Sequence, residues 1–112
     1  MPIKRLSERI ARHDYVTADR EQRTNHYLWC PGCSRSHVIN VVGPEPWGWD
    51  GNVDGPTYTP SLLVTGGSPL PDGRAKVCHS FVVAGVWQFL GDSTHDLAGQ
   101  HIPMVTYPEE HL

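Results

Sequence analysis

Two cysteines stand three residues apart across a Pro-Gly turn, in Cys30-Pro31-Gly32-Cys33, and this motif constrains the chain most strongly. Pro31 presets the turn and Gly32 tolerates its tight backbone, so both sulfurs converge on one point. A third cysteine, Cys78, is followed at once by His79, and His95 lies further on. Paired thiolates on a turn, with a distant Cys and a His, form the donor set of a tetrahedral zinc site. The expected ligands are Cys30, Cys33, Cys78 and His95, holding Zn2+. His79 is the second choice for the fourth ligand, because a regular strand points it away from Cys78. His37 is the third choice, close enough to Cys33 to swing back. His13, His26, His101 and His111 are read as bystanders.

The competing uses of these cysteines are weaker. Three cysteines cannot pair fully as disulfides. Buried, inert thiols would explain a lone Cys but not a Cys-x-x-Cys pair. A redox dithiol opens a helix that lowers its pKa. Here Cys33 leads into His37-Val-Ile-Asn-Val-Val42, a β-type run.

With 112 residues the chain is one domain, with a thin core at 38% hydrophobic content. A chain of this size buries roughly 65% of its unfolded surface, so a metal staple adds much. Eleven Gly and ten Pro favour short strands and turns over long helices. The expected fold is mainly β (small α+β): a zinc-knuckle-like hairpin over 26–42, antiparallel β-hairpins, and a short N-terminal helix. The organisation reads as a basic helix or arm over 1–24, a zinc-stapled β-rich domain over 25–105, and a surface tail over 106–112.

Several local signals support this. Ile3, Leu6 and Ile10 recur at helical spacing, with Pro2 suited to a first helical turn. Residues 14–24 are polar and read as a linker or extended arm. Residues 77–90 form the clearest hairpin, turning at Ala84-Gly85. A two-residue turn pairs Val83 with Val86, Val82 with Trp87 and Ser80 with Phe89. Cys78, Val82, Trp87 and Phe89 then share one face, and His79 and Phe81 the other. Asp92 or Ser93 would cap a helical turn closed by Gly99. Asp92 and Asp96 are also candidates to orient His95 from behind.

Charge is uneven. Residues 1–23 carry +2 and the remainder −5, for a net −3. A basic arm on an acidic body suggests a solvated element, or a contact with nucleic acid or an acidic protein. Trp47, Trp49 and Tyr58 are a candidate protein-contact patch, with Trp87 beside them, although such residues are more often core. The charged N-terminus lacks a signal-type apolar run, and no stretch is long enough to span a membrane. The deaminase His-x-Glu, the metalloprotease His-Glu-x-x-His and a phosphate-binding glycine loop are all missing from the sequence.

One resemblance extends over residues 27–102. The order Trp29-Cys-Pro-Gly-Cys33, Trp47-Gly-Trp49-Asp50-Gly51, Pro56-Thr-Tyr-Thr-Pro-Ser-Leu62, Cys78-His-Ser-Phe-Val82 and Asp92-Ser-Thr-His95-Asp-Leu-Ala-Gly99 resembles a family of small uncharacterised phage and prophage proteins. Members of that phage and prophage family are often labelled "ammonia monooxygenase", a label that physics rejects, since that chemistry belongs to large membrane copper enzymes. A more distant bacterial domain family shares the layout. The resemblance implies a zinc-binding module in the host cytoplasm or virion, with a mainly structural metal and a protein partner. It usually carries Cys where this chain has Ser93. The alternatives are a small zinc-dependent hydrolase, with a water on the metal, and a nucleic-acid-binding accessory protein acting through residues 1–23.

Overall fold

Residues 22–30 alternate without a break, with Thr24, His26, Leu28 and Cys30 buried and their neighbours half-exposed or exposed. That period of two is the mark of a strand with one face on a core. In the computed structural model, which describes residues 3–112, the strand (β3, Gln22–Cys30) is the spine of a four-stranded antiparallel sheet. Its neighbours are β2 (Ala11–Val16) and β4 (Arg35–Val42), with the two-residue β1 (Lys4–Arg5) at the edge.

The second sheet has five strands in chain order: β5 (Gly48–Trp49), β6 (Tyr58–Thr65), β7 (Val77–Val83), β8 (Val86–Phe89) and β9 (His101–Pro103). The β7–β8 hairpin has the register that its turn dictates, with Val83 opposite Val86, Val82 opposite Trp87 and Ser80 opposite Phe89. Ala84 and Gly85 both take positive φ, the conformation that two-residue hairpin turns need.

Ile10, Leu28, Cys30 and Ile39 from the first sheet meet Tyr58, Leu62, Cys78, Val82, Trp87 and Phe89 from the second in one core. The architecture is therefore two antiparallel sheets face to face. Tyr58 and Trp87, two of the aromatics considered for a contact patch, are fully buried, while Trp47 and Trp49 are half-buried against the same core.

The fold is all-β rather than α+β. The N-terminal helix expected over residues 2–13 is not present among the described residues, and Pro2 lies outside them. Leu6 and Ser7 instead donate backbone hydrogen bonds to the Ile10 carbonyl, closing a tight turn between β1 and β2. Ile3, Leu6 and Ile10 fit a helix by spacing alone. The β-sheet wins because β2 pairs with β3 from Ala11–Tyr27 to Val16–Gln22, satisfying backbone groups that a short isolated helix would leave marginal. Residues 14–24 are accordingly not a linker: they finish β2, turn over Thr17–Glu21 and begin β3.

The segment after β8 is a run of turns rather than a capped helix, and Gly99 donates to the Phe89 carbonyl. Nor does all of the surface tail expected over 106–112 hang free, since Tyr107 is buried. Met104 is buried too, and the Tyr107 hydroxyl shares a 2.6 Å hydrogen bond with Ser36. Beyond them only a single 3-10 turn, Glu109–His111, is helical. Among the described residues no helix is long and apolar enough to cross a membrane.

Candidate functional site

The sheet-to-sheet packing brings the turn after β3 against the start of β7. Donor atoms of Cys30, Cys33, Cys78 and His37 all lie within 4.8 Å of one another. Cys30 and Cys33 come from the Pro-Gly turn. Cys78 faces inward from β7, and His37 faces inward from β4, which runs back from that turn. The four residues could hold a metal ion.

The geometry fits one well. The Cys30 and Cys78 sulfurs are 3.8 Å apart, and all three cysteines are free. Zinc–sulfur bonds of about 2.3 Å at tetrahedral angles place two sulfurs about 3.8 Å apart. Nε2 of His37 is buried with no hydrogen-bond partner, a state that normally costs free energy unless something occupies it.

The thiols conflict electrostatically. Cys30 is drawn well below the usual thiol range, first by the hydrogen bond from Cys78 and then by His37. Cys78 is pushed up, first by that same bond and then by burial. Cys33 is raised by burial and by the charge on Cys30. One sulfur can carry charge and the others then resist it. A divalent cation removes the conflict by holding all three as thiolates.

His95 lies outside this cluster. Its ring sits directly over Gly32, so close that a Cβ there would fall 2.4–2.6 Å from three ring atoms. The Leu97 N–H donates to His95 Nδ1 at 3.2 Å, and the ring packs edge-on against Phe89. Asp96 uses its backbone carbonyl to accept from Gln100.

His79 also lies outside it, on the opposite face of β7 from Cys78, as strand alternation requires. There it forms a second constellation. Nε2 of His79 is 3.2 Å from Oγ of Ser61, and Nδ1 is 3.0 Å from Oδ2 and 3.2 Å from Oδ1 of Asp92. Ser61, His79 and Asp92 thus form a hydroxyl–imidazole–carboxylate chain. By sequence alone Asp92 is a candidate to orient His95 or to cap a helical turn, and Ser61 is only a strand residue.

Three features of the fold set this chain in place. Ser61 lies in an irregularity of the β6–β7 ladder, where the register shifts between Tyr58 and Leu62. His79 is the third residue of β7, directly opposite Leu63. Asp92 rides on a turn that is stitched to β7. Ser93 Oγ accepts from the His79 N–H and donates to the His79 carbonyl, each at 3.0 Å. Thr94 accepts from the Val77 N–H through Oγ1 and donates its own N–H to the Val77 carbonyl. Position 93 therefore clamps the backbone of His79 rather than capping a helix.

His79 is one-quarter exposed and Asp92 more than half. The constellation faces solvent on the outer surface of the five-stranded sheet, while the Cys/His cluster sits inside. Adjacent residues of β7, Cys78 and His79, serve the two sites.

Four of the five arginines of the N-terminal stretch have partners within the chain. Arg5 donates to the Glu8 and Tyr107 carbonyls, Arg9 to the Asp54 carbonyl, Arg12 pairs with Asp14, and Arg23 with Glu21.

Residues 3–90 match the family described as "Bacterial ubiquitination-like system serine protease (BubE)". The chain belongs to the BubE family. The match spans most of the chain, and it includes Ser61, His79 and all four residues of the Cys/His cluster. Asp92 lies two residues past its end. The family that matches is described as a protease, and not as a phage or zinc-binding family. No curated protein and no solved structure matches the chain.

Proposed function

We propose that this BubE-family chain is a serine hydrolase that cleaves peptide bonds in a bacterial ubiquitination-like system, with Ser61 as nucleophile, His79 as general base and Asp92 as its orienting carboxylate. The observation that carries the reading is the continuous chain from Ser61 Oγ through both nitrogens of His79 to Asp92. The family description, reached by a separate route, names the same chemistry.

The roles follow from the atoms. Asp92 accepts a hydrogen bond from Nδ1–H, which holds the tautomer with Nε2 as the basic nitrogen facing Ser61. As Oγ attacks the substrate carbonyl carbon, Nε2 takes the hydroxyl proton, and the carbonyl oxygen gains the negative charge. Collapse of this adduct breaks the carbon–nitrogen bond. The imidazolium gives its proton to the departing amine, and the acyl group stays on Ser61. Water then repeats the sequence, with Nε2 taking its proton. Ser61 Oγ regains a proton as the acid product leaves.

The Cys/His cluster supports a structural role. Three sulfurs and one imidazole supply four protein donors, which completes a tetrahedral ion and leaves no position for a reacting water. Zinc suits that soft donor set. When bound, it would cross-link the turn after β3, β4 and β7, and so hold the strand that carries His79.

The test is labelling by a fluorophosphonate, which phosphonylates activated serines with loss of fluoride, read by intact mass. The wild-type protein should gain one adduct on Ser61. Ser61→Ala should gain none, and His79→Asn should react at least about 10²-fold more slowly. Labelling that persists in Ser61→Ala, or a folded wild-type protein that never reacts, overturns the proposal.

A further inference from the structure

The outer face of β6 and β7 carries more than the hydrolytic chain. Leu63 is 60% exposed and Phe81 39% exposed, both large apolar side chains held in water. The register places Leu63 directly opposite His79. Phe81 lies between Ser80 and Val82, opposite the irregular stretch of β6 that holds Ser61. Strand alternation puts Ser61 and Leu63 on one face of β6, and His79 and Phe81 on the matching face of β7.

The four side chains therefore form a square. Ser61 and His79 occupy one diagonal, and Leu63 and Phe81 the other. Directly opposed residues on a sheet face are about 5 Å apart and diagonal ones about 7–8 Å. A group bonded to Ser61 Oγ would have the two apolar corners as its neighbours on this face. Val83, 38% exposed, continues the apolar strip along β7 beyond Phe81. Scattered exposed apolar residues need no explanation, but a set bracketing a reactive pair marks a contact surface.

We infer that Leu63 and Phe81 are specificity-determining residues of the Ser61 site, selecting polypeptide substrates with a bulky aliphatic or aromatic side chain next to the scissile bond; this rests on the assignment of Ser61 as nucleophile. Covering both corners returns their exposed area to an apolar environment and closes water out of the Ser61–His79 contact. A charged or small side chain does neither.

The experiment uses the full chain and two fluorophosphonates of equal length, one with an alkyl chain and one with an oxyethylene chain, and measures inactivation rate constants. The alkyl probe should react about tenfold faster or more, the range that apolar pocket contacts supply. Leu63→Thr and Phe81→Thr keep β propensity at exposed positions. Each should bring the ratio towards one, chiefly by slowing the alkyl probe, with the thermal midpoint unchanged. Equal rates for the two probes in the wild type, or a ratio untouched by both substitutions, overturns the inference and leaves Ser61 standing. If neither probe labels Ser61, the nucleophile assignment fails and the inference falls with it.

Discussion

His26 provides a quantitative test of how this core is held together. The ring is fully buried in β3, shares a 2.7 Å hydrogen bond through Nδ1 with the Tyr58 hydroxyl, and meets Trp49 edge-on. Burial, aided by the nearby Arg12 cation, lowers its pKa from 6.5 to about 4. The unfolded chain thus binds a proton at a pH where the folded chain does not. Stability from this residue is fully present above pH 6.5 and is lost as pH falls towards 4. At about 1.4 kcal/mol per pH unit, the loss reaches about 2 kcal/mol by pH 5 and about 3 kcal/mol by pH 4. The perturbation is His26→Gln, which keeps a polar group for Tyr58 but does not titrate. Urea unfolding followed by tryptophan fluorescence at pH 7.5, 6, 5 and 4 gives the stability of each protein. The cysteine cluster also responds to acid, but it is common to both, so the difference between their pH profiles isolates His26. With a slope of about 1–2 kcal/mol per molar urea, the wild-type midpoint should fall by about 1–2 M more than the variant's between pH 7.5 and 5. Parallel profiles would refute the claim that His26 is held neutral by burial.

Three other outcomes are expected. Zinc binding at neutral pH should release about two protons, because Cys78 and Cys33 hold theirs while Cys30 does not; calorimetry in buffers of different ionisation enthalpy counts them, and zero protons would contradict the thiolate cluster. Cys78→Ser should reduce zinc affinity at least about tenfold and slow Ser61 labelling together, since Cys78 and His79 are neighbours on β7; a folded variant with unchanged metal content and labelling would separate the two sites. Gly32→Ala should destabilise the protein by about 1–3 kcal/mol, because the new methyl collides with the His95 ring, and an unchanged thermal midpoint would show that His95 moves aside without cost.

Much of the second sheet was legible in the sequence. The Ala84-Gly85 turn sets the β7–β8 register, and strand alternation within β7 separates Cys78 from His79 onto opposite faces. The same alternation that weakens His79 as a ligand leaves it free for Ser61 and Asp92. The Cys-Pro-Gly-Cys turn likewise reads directly as a point where two sulfurs converge. His37 carried a signal as well. It alternates with Ile39 and Val41 in β4, so it shares their inward face. His95, a candidate by its place in the chain, is not among the four clustered residues; its ring sits over Gly32 and against Phe89 and accepts from Leu97 through Nδ1, while its Nε2 is buried without a hydrogen-bond partner.

Ser61 had no local signature. It has no nucleophile-elbow glycines around it, and its neighbours Pro60 and Leu62 read as an ordinary strand. Its role arises from an irregular register with β7, which depends on how two distant segments pair. The N-terminal segment failed for a related reason. Three apolar residues at helical spacing cannot outweigh six cross-strand pairs that exist only once β3 is in place.

Local chemistry in the chain determined the hairpin turns, the strand alternation, and the convergence of Cys30 and Cys33. Each of these depends on residues a few positions apart, where backbone geometry suffices. Which histidine joins the sulfurs, and which serine meets His79, was decided only by tertiary structure. Both depend on how strands far apart in sequence pair and how the two sheets pack, and such contacts leave no periodic trace along the chain.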